Sequence, residues 1–217
     1  MALLITPPVT GSTAYWGECV QALAPDLDIR LWPNVGAAED IIYLMTGFLD
    51  LAELPTLPNL RLVMPMFAGF DHLLADPDMP SVPIVRTGPP AGDPAMTEYA
   101  ILHVLRHHRQ MPEYLDQQRR SEWRVRPQKL PREQRVGFMG FGVLAKPPAR
   151  ALHGLGFDVA AWTRTARDDA DIGMFCGVDR LPEFLARTDI LVCLLPLTDK
   201  TEGILNADLF AQMPKGA

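Results

Sequence analysis

Residues 136–157, VGFMGFGVLAKPPARALHGLGF, decide the fold that the sequence predicts for the second half of the chain. A strand-like run leads into GFGVLA (140–145), which fits the pattern G-x-G-x-x-G/A, and a helical pattern follows. Gly140 permits a tight turn, Gly142 lets the backbone approach a diphosphate, and free N–H groups at a helix start attract anions. The segment, including Val143 and Leu144, therefore predicts a dinucleotide-binding turn. The alternative is a glycine-rich turn that binds no ligand.

Two prolines, Pro147 and Pro148, interrupt the helix that should follow this turn. If the helix begins at Gly142, they remove the N–H groups that would bond the carbonyls of Val143 and Leu144, at about 3 kcal/mol per interior proline. If the helix begins near Pro147, the prolines are tolerated, but the phosphate cradle lies one turn away from the glycines. In both cases we expect weaker dinucleotide binding than the glycines alone would indicate.

The second strand of this unit ends at Trp162, and Thr163, Arg164 and Thr165 follow. NAD-specific sites usually offer Asp or Glu to the ribose at this place, about 20 residues after the glycines. Here a guanidinium stands between two hydroxyls, which suits the 2′-phosphate of NADP. We therefore expect NADP as the cofactor, with NAD possible. The alternative is that Arg164 points into water.

Short β-rich runs alternate with helical patterns along the whole chain, which predicts parallel sheets flanked by helices. The strand-like runs are ALLIT, DIRLW, IIYLM, RLVMPM and VPIVR in the first half, and RVGFMG, FDVAAW and DILVCLLP in the second. A long helix opens at the capping pair Asp93-Pro94, and shorter helices are predicted at 14–24 and near 71–75, 181–187 and 207–213. Apolar residues cover most of the long helix, so we expect burial on more than one side. The predicted class is α/β with a doubly wound parallel sheet in the second half.

Composition and charge exclude several classes of function. The formal net charge of −6 over 217 residues opposes nucleic acid as the main partner. The apolar runs are shorter than the ~20 residues of a membrane span, and no signal peptide is recognisable, so no membrane partner is expected. Three widely spaced cysteines favour a reducing compartment, and we expect a cytoplasmic protein. The basic segment 119–135 is interpreted as a solvated helix end and linker, with a phosphate-binding patch as the alternative.

The sequence resembles the D-isomer-specific 2-hydroxyacid dehydrogenases, and within them the glyoxylate/hydroxypyruvate reductase branch. The matching segments occur in the family's order: MFAGFDHLL, MTEYAILHVLRHHRQMPEYLDQQRRSEW, VGFMGFGVLA, GFDVAAWTRT and ILVCLLPLTDKTEGILNADLFAQMPKGA. Together they cover most of the chain from about Leu60 onward. The resemblance implies a flavodoxin-like α/β substrate domain in residues 1–92, an interface helix and basic linker in 93–134, and the first part of a Rossmann-like dinucleotide-binding domain in 135–217.

The resemblance also implies site residues and partners. Backbone N–H groups of Ala68, Gly69 and Phe70 would bind the carboxylate of a small 2-oxo or 2-hydroxy acid. Leu195, Pro196 and Thr201 would lie along the nicotinamide side of the cofactor, although Thr201 could equally be a turn residue. A homodimer would form through the helix after Asp93. The family's catalytic arginine, histidine and carboxylate are expected beyond Ala217, so no catalytic residue is assigned within this chain.

Other candidate residues carry weaker interpretations. His103 and His107 have a spacing that can bind a metal, but no third ligand is evident and a structural histidine pair is favoured. His72 is the only histidine considered as a stand-in acid, and a structural loop histidine is favoured. Capping or packing explains Glu98 as well as catalysis does. Two functions follow: an NAD(P)-dependent oxidoreductase that reduces glyoxylate- or hydroxypyruvate-type 2-oxo acids, or a non-catalytic dinucleotide-binding or dimerisation module related to it. A third interpretation is that the chain is cut from a longer protein.

Overall fold

The structure is a computed structural model that describes residues 1–8, 11–47, 49–66, 69, 71–85 and 93–217. The chain divides into two compact units, Met1–Gly88 and Pro89–Ala217. In the described residues, each unit contains a four-stranded sheet in which all neighbouring strands are parallel. None of the described helices is long and apolar enough to cross a membrane.

The N-terminal unit has strand order β2-β1-β3-β4. Its elements are β1 (Ala2–Ile5), α1 (Thr13–Leu23), β2 (Asp28–Leu31), β3 (Ile41–Thr46), β4 (Leu62–Pro65) and α2 (Asp71–Ala75). All four residues of β1 are buried, because a central parallel strand is covered on both faces. The order matches the first four strands of the flavodoxin-like arrangement, so the α/β class predicted for this half is confirmed.

The C-terminal unit begins with two helices and continues with the second sheet. Its elements are α3 (Pro94–His108), α4 (Met111–Arg119), β5 (Arg135–Met139), α5 (Lys146–Gly154), β6 (Asp158–Thr163), β7 (Gly173–Cys176), α6 (Leu181–Ala186), β8 (Ile190–Cys193) and α7 (Ala207–Ala211). The strand order is β7-β6-β5-β8. The order reverses between β5 and β8, and in a doubly wound sheet the ligand crevice lies at the carboxyl ends of the strands at this point. The Rossmann-like part of the fold prediction is confirmed.

The two prolines lie in the first turn of α5. Ala145 is its N-cap, and the helix begins at Lys146, which corresponds to the second of the two predicted starts. The N–H groups of Ala145 and Lys146 both donate to the carbonyl of Gly142, at 3.2 and 3.1 Å. The glycine turn therefore leads directly into the helix, and the prolines occupy positions where a helix N–H has no intrahelical acceptor.

Gly137, in the middle of β5, lets the loop after α6 approach the sheet closely. A Cβ atom at this position would lie 2.4 Å from Thr188 Oγ1 and 2.7 Å from Phe184 Cζ. Both neighbours are fully buried, so neither can move aside without disturbing the core. Any side chain at this position would force the buried neighbours to shift.

An ion pair joins the amino ends of β5 and β8. Asp189 accepts hydrogen bonds from the Arg135 backbone N–H at 2.9 Å and from its guanidinium at 2.6 and 3.1 Å. Burial alone would raise the pKa of Asp189, but these hydrogen bonds outweigh it and hold the pKa below the ordinary carboxyl value. The pair stabilises the register of the two strands on either side of the crevice.

The structure differs from the sequence prediction in three elements. The helix that opens at Pro94 ends at His108, and Gln110, with φ of +54°, separates it from a second helix, α4, that was not predicted. The short strand β7 was also not predicted. The run VPIVR, in its described part, forms only an isolated bridge between Val63 and Ile84.

The burial of α3 is narrower than its composition suggested. Within its own unit the helix buries Ala100, Val104 and His108, which lie four residues apart along one face. Tyr99 and Leu102 are exposed in the single chain. Among the described residues, the fully buried positions of α3 therefore lie on one face only.

Candidate functional site

The turn after β5 begins at a glycine that no other residue can replace without strain. Gly140 has φ of +94°, and its N–H donates to the carbonyl of Trp162 at 2.9 Å. A Cβ atom there would lie 3.1 Å from the carbonyl oxygen of Leu194, in the segment after β8. The turn thus reaches across the carboxyl ends of β6, β5 and β8, where the crevice is expected.

The second glycine of the turn faces open space. A Cβ atom at Gly142 would have no heavy atom within 4 Å, and the residue is exposed. Among the described residues, no hydrogen-bond acceptor is found for the N–H groups of Gly142, Val143 and Leu144. Three consecutive donors beside a space that a side chain would fill form a surface suited to an anion such as a diphosphate.

The loop after β6 carries the residues predicted to choose the cofactor. Thr163 is 6% exposed, and its hydroxyl donates to the carbonyl of Thr165 at 2.8 Å, so it stabilises the loop. Arg164 and Thr165 are exposed. No ion pair or hydrogen bond joins the Arg164 side chain to any other residue in the part of the chain that the structure describes. The guanidinium of Arg164 is therefore free to bind a ligand.

Arg167 is a candidate cofactor residue that the sequence analysis missed. One guanidinium nitrogen, Nη1, donates to the carbonyl of Phe141 at 2.9 Å, between the two glycines of the turn. The structure thus brings two guanidinium-bearing residues to one loop at the carboxyl edge of the sheet. The available signal was the second arginine three positions after Arg164, but its contact joins residues 26 apart in the sequence.

Asp169, an acidic residue two positions after Arg167, already pairs with another cation. Asp169 accepts from the guanidinium of Arg150 on α5 at 3.2 Å and is nearly buried. The pKa of Asp169 is lowered, mainly because its carboxylate accepts a hydrogen bond from the backbone N–H of Asp171. The ion pair with Arg150 adds to this effect. Lys146, at the start of α5, adds a cation 5.7 Å from the ring centroid of Phe141. Lys146 and the two arginines are cations that would attract an anion to the N–H groups of the turn.

The segment after β8 forms the other side of the crevice. Leu195 is half-buried, and its Cδ2 lies 3.2 Å from the place that a Gly140 Cβ would take. Pro196 is exposed. The hydroxyl of Thr201 donates to the carbonyl of Pro196 at 2.5 Å and accepts from the N–H of Thr198 at 2.8 Å. Thr201 thus holds the loop that contains Pro196, and its hydroxyl already has partners within the chain.

The substrate loop predicted in the N-terminal unit is described only in part. Gly69 lies between β4 and α2 and is exposed, while Ala68 and Phe70 lie outside the described residues, as does the side chain of His72.

On α3 the ring of His103 lies 4.4 Å from that of Tyr99, centroid to centroid. Among the described residues, no group of three or more His, Cys, Asp or Glu side chains is placed to hold a metal ion.

Comparison with known proteins relates this geometry to one family. A model of the NAD-binding domain of the D-isomer-specific 2-hydroxyacid dehydrogenases matches residues 101–217, more than half of the chain.

Solved structures of the same family resemble the whole chain. A D-isomer-specific 2-hydroxyacid dehydrogenase from Xanthobacter autotrophicus Py2, in complex with NADPH and MES, is 33% identical with a TM-score of 0.86; the match covers 100% of this chain and 70% of that one. An NADPH-dependent glyoxylate/hydroxypyruvate reductase from Sinorhizobium meliloti, in complex with NADP and sulfate, is 32% identical with a TM-score of 0.87, covering 100% and 71%. A probable 2-hydroxyacid dehydrogenase from Rhizobium etli CFN 42, in complex with NADP, HEPES and L(+)-tartaric acid, is 28% identical with a TM-score of 0.83, covering 98% and 67%.

These matches confirm the resemblance found in the sequence. They agree with the observed strand order and with the glycine turn at the point where that order reverses. The chain belongs to the D-isomer-specific 2-hydroxyacid dehydrogenases, a family of NAD(P)-dependent oxidoreductases.

Proposed function

We propose that the chain binds NADP, and NAD less tightly, at the carboxyl edge of its C-terminal sheet. We further propose that this binding serves the reduction of small 2-oxo acids of the glyoxylate and hydroxypyruvate type in the cytoplasm. One observation carries the proposal. The turn has open space and unused N–H donors at Gly142, and its Phe141 carbonyl accepts a hydrogen bond from the Arg167 guanidinium. A diphosphate and a 2′-phosphate are the two anions that such an arrangement would hold together.

Each part of the cofactor has its own set of residues in this proposal. The N–H groups of Gly142, Val143 and Leu144 would hold the diphosphate, and Arg164 and Arg167 the 2′-phosphate. Leu195 and Pro196 would line the nicotinamide side, and Thr163, Thr165 and Thr201 would keep the loops in place. When bound, the nicotinamide supplies the hydride, while the protein orients it and excludes water.

Three of the solved neighbours support NADP as the cofactor, since they hold NADPH or NADP, and one of them is a glyoxylate/hydroxypyruvate reductase. The substrate carboxylate would bind the backbone of residues 68–70, of which only Gly69 is described. We assign no acid–base catalyst within residues 1–217. Cofactor binding, and not turnover, is therefore the property by which this chain is first tested.

A second candidate function is a non-catalytic dinucleotide-binding and dimerisation module. It is favoured by exposed apolar side chains on α3 and after α4, among them Tyr99, Leu102 and Trp123, which is 96% exposed. The segment that follows Trp123 is held against α4, because the N–H of Arg126 donates to the Tyr114 hydroxyl at 3.1 Å. A fixed, exposed apolar surface is typical of a protein interface, and we propose that it joins two copies of the chain.

Two measurements separate these functions. Oxidation of NADPH by the pure chain with glyoxylate or hydroxypyruvate would favour the enzyme, and binding without turnover would favour the module. Light scattering of the wild-type chain and of Leu102→Asp tests the dimer. We expect a dimer that the substitution dissociates, and a wild-type monomer would contradict the proposed interface.

Charge reversal tests the cofactor site. We expect Arg164→Asp and Arg167→Asp each to weaken NADPH binding about 10- to 100-fold, the value of one charge-assisted hydrogen bond. NADH binding should change little, because NADH has no 2′-phosphate. Arg132→Asp is the matched control: Arg132 is exposed and precedes β5, at the opposite edge of the sheet. Intact NADPH binding in both variants, or an equal loss in the control, would contradict the proposed site.

A further inference from the structure

The thiol of Cys176 contacts both ends of the loop that carries the two arginines. Cys176 is the last residue of β7 and is half-buried. The N–H of Arg167 donates to its Sγ at 3.4 Å, and its S–H donates to the carbonyl of Arg167 at 3.5 Å. The same Sγ lies 3.5 Å from the hydroxyl oxygen of Thr163, at the start of the loop. One side chain therefore links residues 163 and 167.

Arg167 is consequently held at two points. Its backbone is held by Cys176, and its guanidinium by the carbonyl of Phe141 in the glycine turn. An arginine side chain has many rotamers, so the position of its backbone decides where the guanidinium can reach and how much entropy is lost on binding. Arg164 is an exposed residue inside the loop that these contacts close.

The thiol contacts are separate from the contacts that hold β7 in the sheet. Cys176 is paired with Thr163 in the parallel ladder of β6 and β7. The N–H of Gly177 donates to the carbonyl of Thr163 at 2.9 Å, and the indole N–H of Trp162 donates to the carbonyl of Gly177 at 2.8 Å. Neither contact involves the sulfur of Cys176. Removal of the thiol should therefore release the loop without unpairing the strand.

We propose that Cys176 is a positioning residue for the cofactor site, whose thiol closes the loop 163–167 and holds Arg167 beside the glycine turn. It thereby sets the preference for NADP(H) over NAD(H). The inference rests on the proposed function, because it assumes that the loop binds the 2′-phosphate. The proposed role of Cys176 acts through Arg167, so the proposal needs no contact between the thiol and the cofactor.

The experiment compares dissociation constants of NADPH and NADH for the 217-residue chain and its variants. We expect Cys176→Ala to lower the ratio of NADH to NADPH dissociation constants about three- to tenfold, through weaker NADPH binding alone. Cys176→Ser should keep most of the preference, because a hydroxyl can also donate and accept. Cys19→Ala, which removes a thiol from the N-terminal unit, should leave the ratio unchanged.

A double substitution separates positioning from a general structural role. In the Arg167→Ala background, Cys176→Ala should have no further effect on the ratio, because the residue through which it acts is gone. In the cofactor-free chain, Cys176→Ala should speed hydrogen exchange at the Arg167 amide, whose acceptor it removes.

Several results would overturn the inference. These are a parallel loss of NADPH and NADH binding in Cys176→Ala, an unchanged ratio, an effect that persists without Arg167, or unchanged exchange at the Arg167 amide. If the unsubstituted chain binds neither cofactor, the proposed function fails and the inference fails with it. If the unsubstituted chain prefers NADPH and Cys176→Ala keeps that preference, only the role of Cys176 is refuted.

Discussion

Replacing Gly142 with alanine adds one methyl group to the turn after β5, at a place where the chain itself leaves space. No heavy atom lies within 4 Å of the added carbon, and Gly142 does not have a positive φ. The folded chain should therefore accept the methyl group without strain. Its conformational entropy in the unfolded state falls, so we expect unfolding to cost about 0.4–1 kcal/mol more.

Cofactor binding should respond in the opposite direction. A methyl group in this space keeps a diphosphate from the N–H groups of Gly142 and its two successors. Loss of one charge-assisted hydrogen bond costs about 1.5–3 kcal/mol, which corresponds to about 10- to 100-fold in the dissociation constant. NADPH and NADH should weaken by the same factor, because both carry the diphosphate. This equality distinguishes Gly142 from the arginines.

The assay combines a fluorescence titration of NADPH and NADH with thermal unfolding followed by circular dichroism. Gly154→Ala is the matched control: it makes the same substitution at the far end of α5, also with no heavy atom within 4 Å. Both variants should melt at or above the wild-type temperature, and only Gly142→Ala should lose affinity. Wild-type affinity in Gly142→Ala would show that the diphosphate does not approach this residue.

Three further predictions concern the scaffold. Gly137→Ala should destabilise the chain by about 1–3 kcal/mol in urea unfolding, since its Cβ would collide with buried atoms, and stability equal to that of Gly154→Ala would contradict the close contact. Asp189→Asn should cost about 1–2 kcal/mol at neutral pH by removing the charge that pairs with Arg135. Because the pKa of Asp189 is lowered in the folded chain, the stability difference between wild type and variant should be complete at pH values above the ordinary carboxyl pKa. It should shrink as the pH falls through the pKa of folded Asp189, and a pH-independent difference would refute the ion pair. Replacing both residues of Pro147–Pro148 with alanine should change NADPH affinity less than about twofold, since N–H groups in the first turn of α5 have no intrahelical acceptor, and clearly tighter binding would contradict this.

The unit around the glycine turn was predictable because its signals are local. The spacing of Gly140, Gly142 and Ala145, between a buried strand and a helical pattern, depends on residues that are close in sequence. The helix start was not predictable, since Pro147 and Pro148 fit two positions. The structure decides it through the hydrogen bonds that converge on the Gly142 carbonyl.

Elements without a strong local pattern were missed. The strand β7, GMFC, is four residues long and begins with glycine, so its own β propensity is weak. Its pairing with β6 decides its structure. The helix α4 has a polar composition, and the left-handed Gln110 before it has no signature in the sequence. In both cases tertiary contacts outweigh weak local preferences.

The sequence by itself determined the α/β class, the family, and the place and charge of Arg164, because periodicity, glycine spacing and residue type are properties of neighbouring residues. Only the tertiary structure decided that the Arg167 guanidinium lies on the Phe141 carbonyl and that the Cys176 thiol contacts the backbone of Arg167. These contacts join residues 26 and 9 positions apart, which meet because parallel strands bring their carboxyl ends to one edge of a sheet. Spacing along the chain does not encode that meeting, since it depends on the order in which the strands pair.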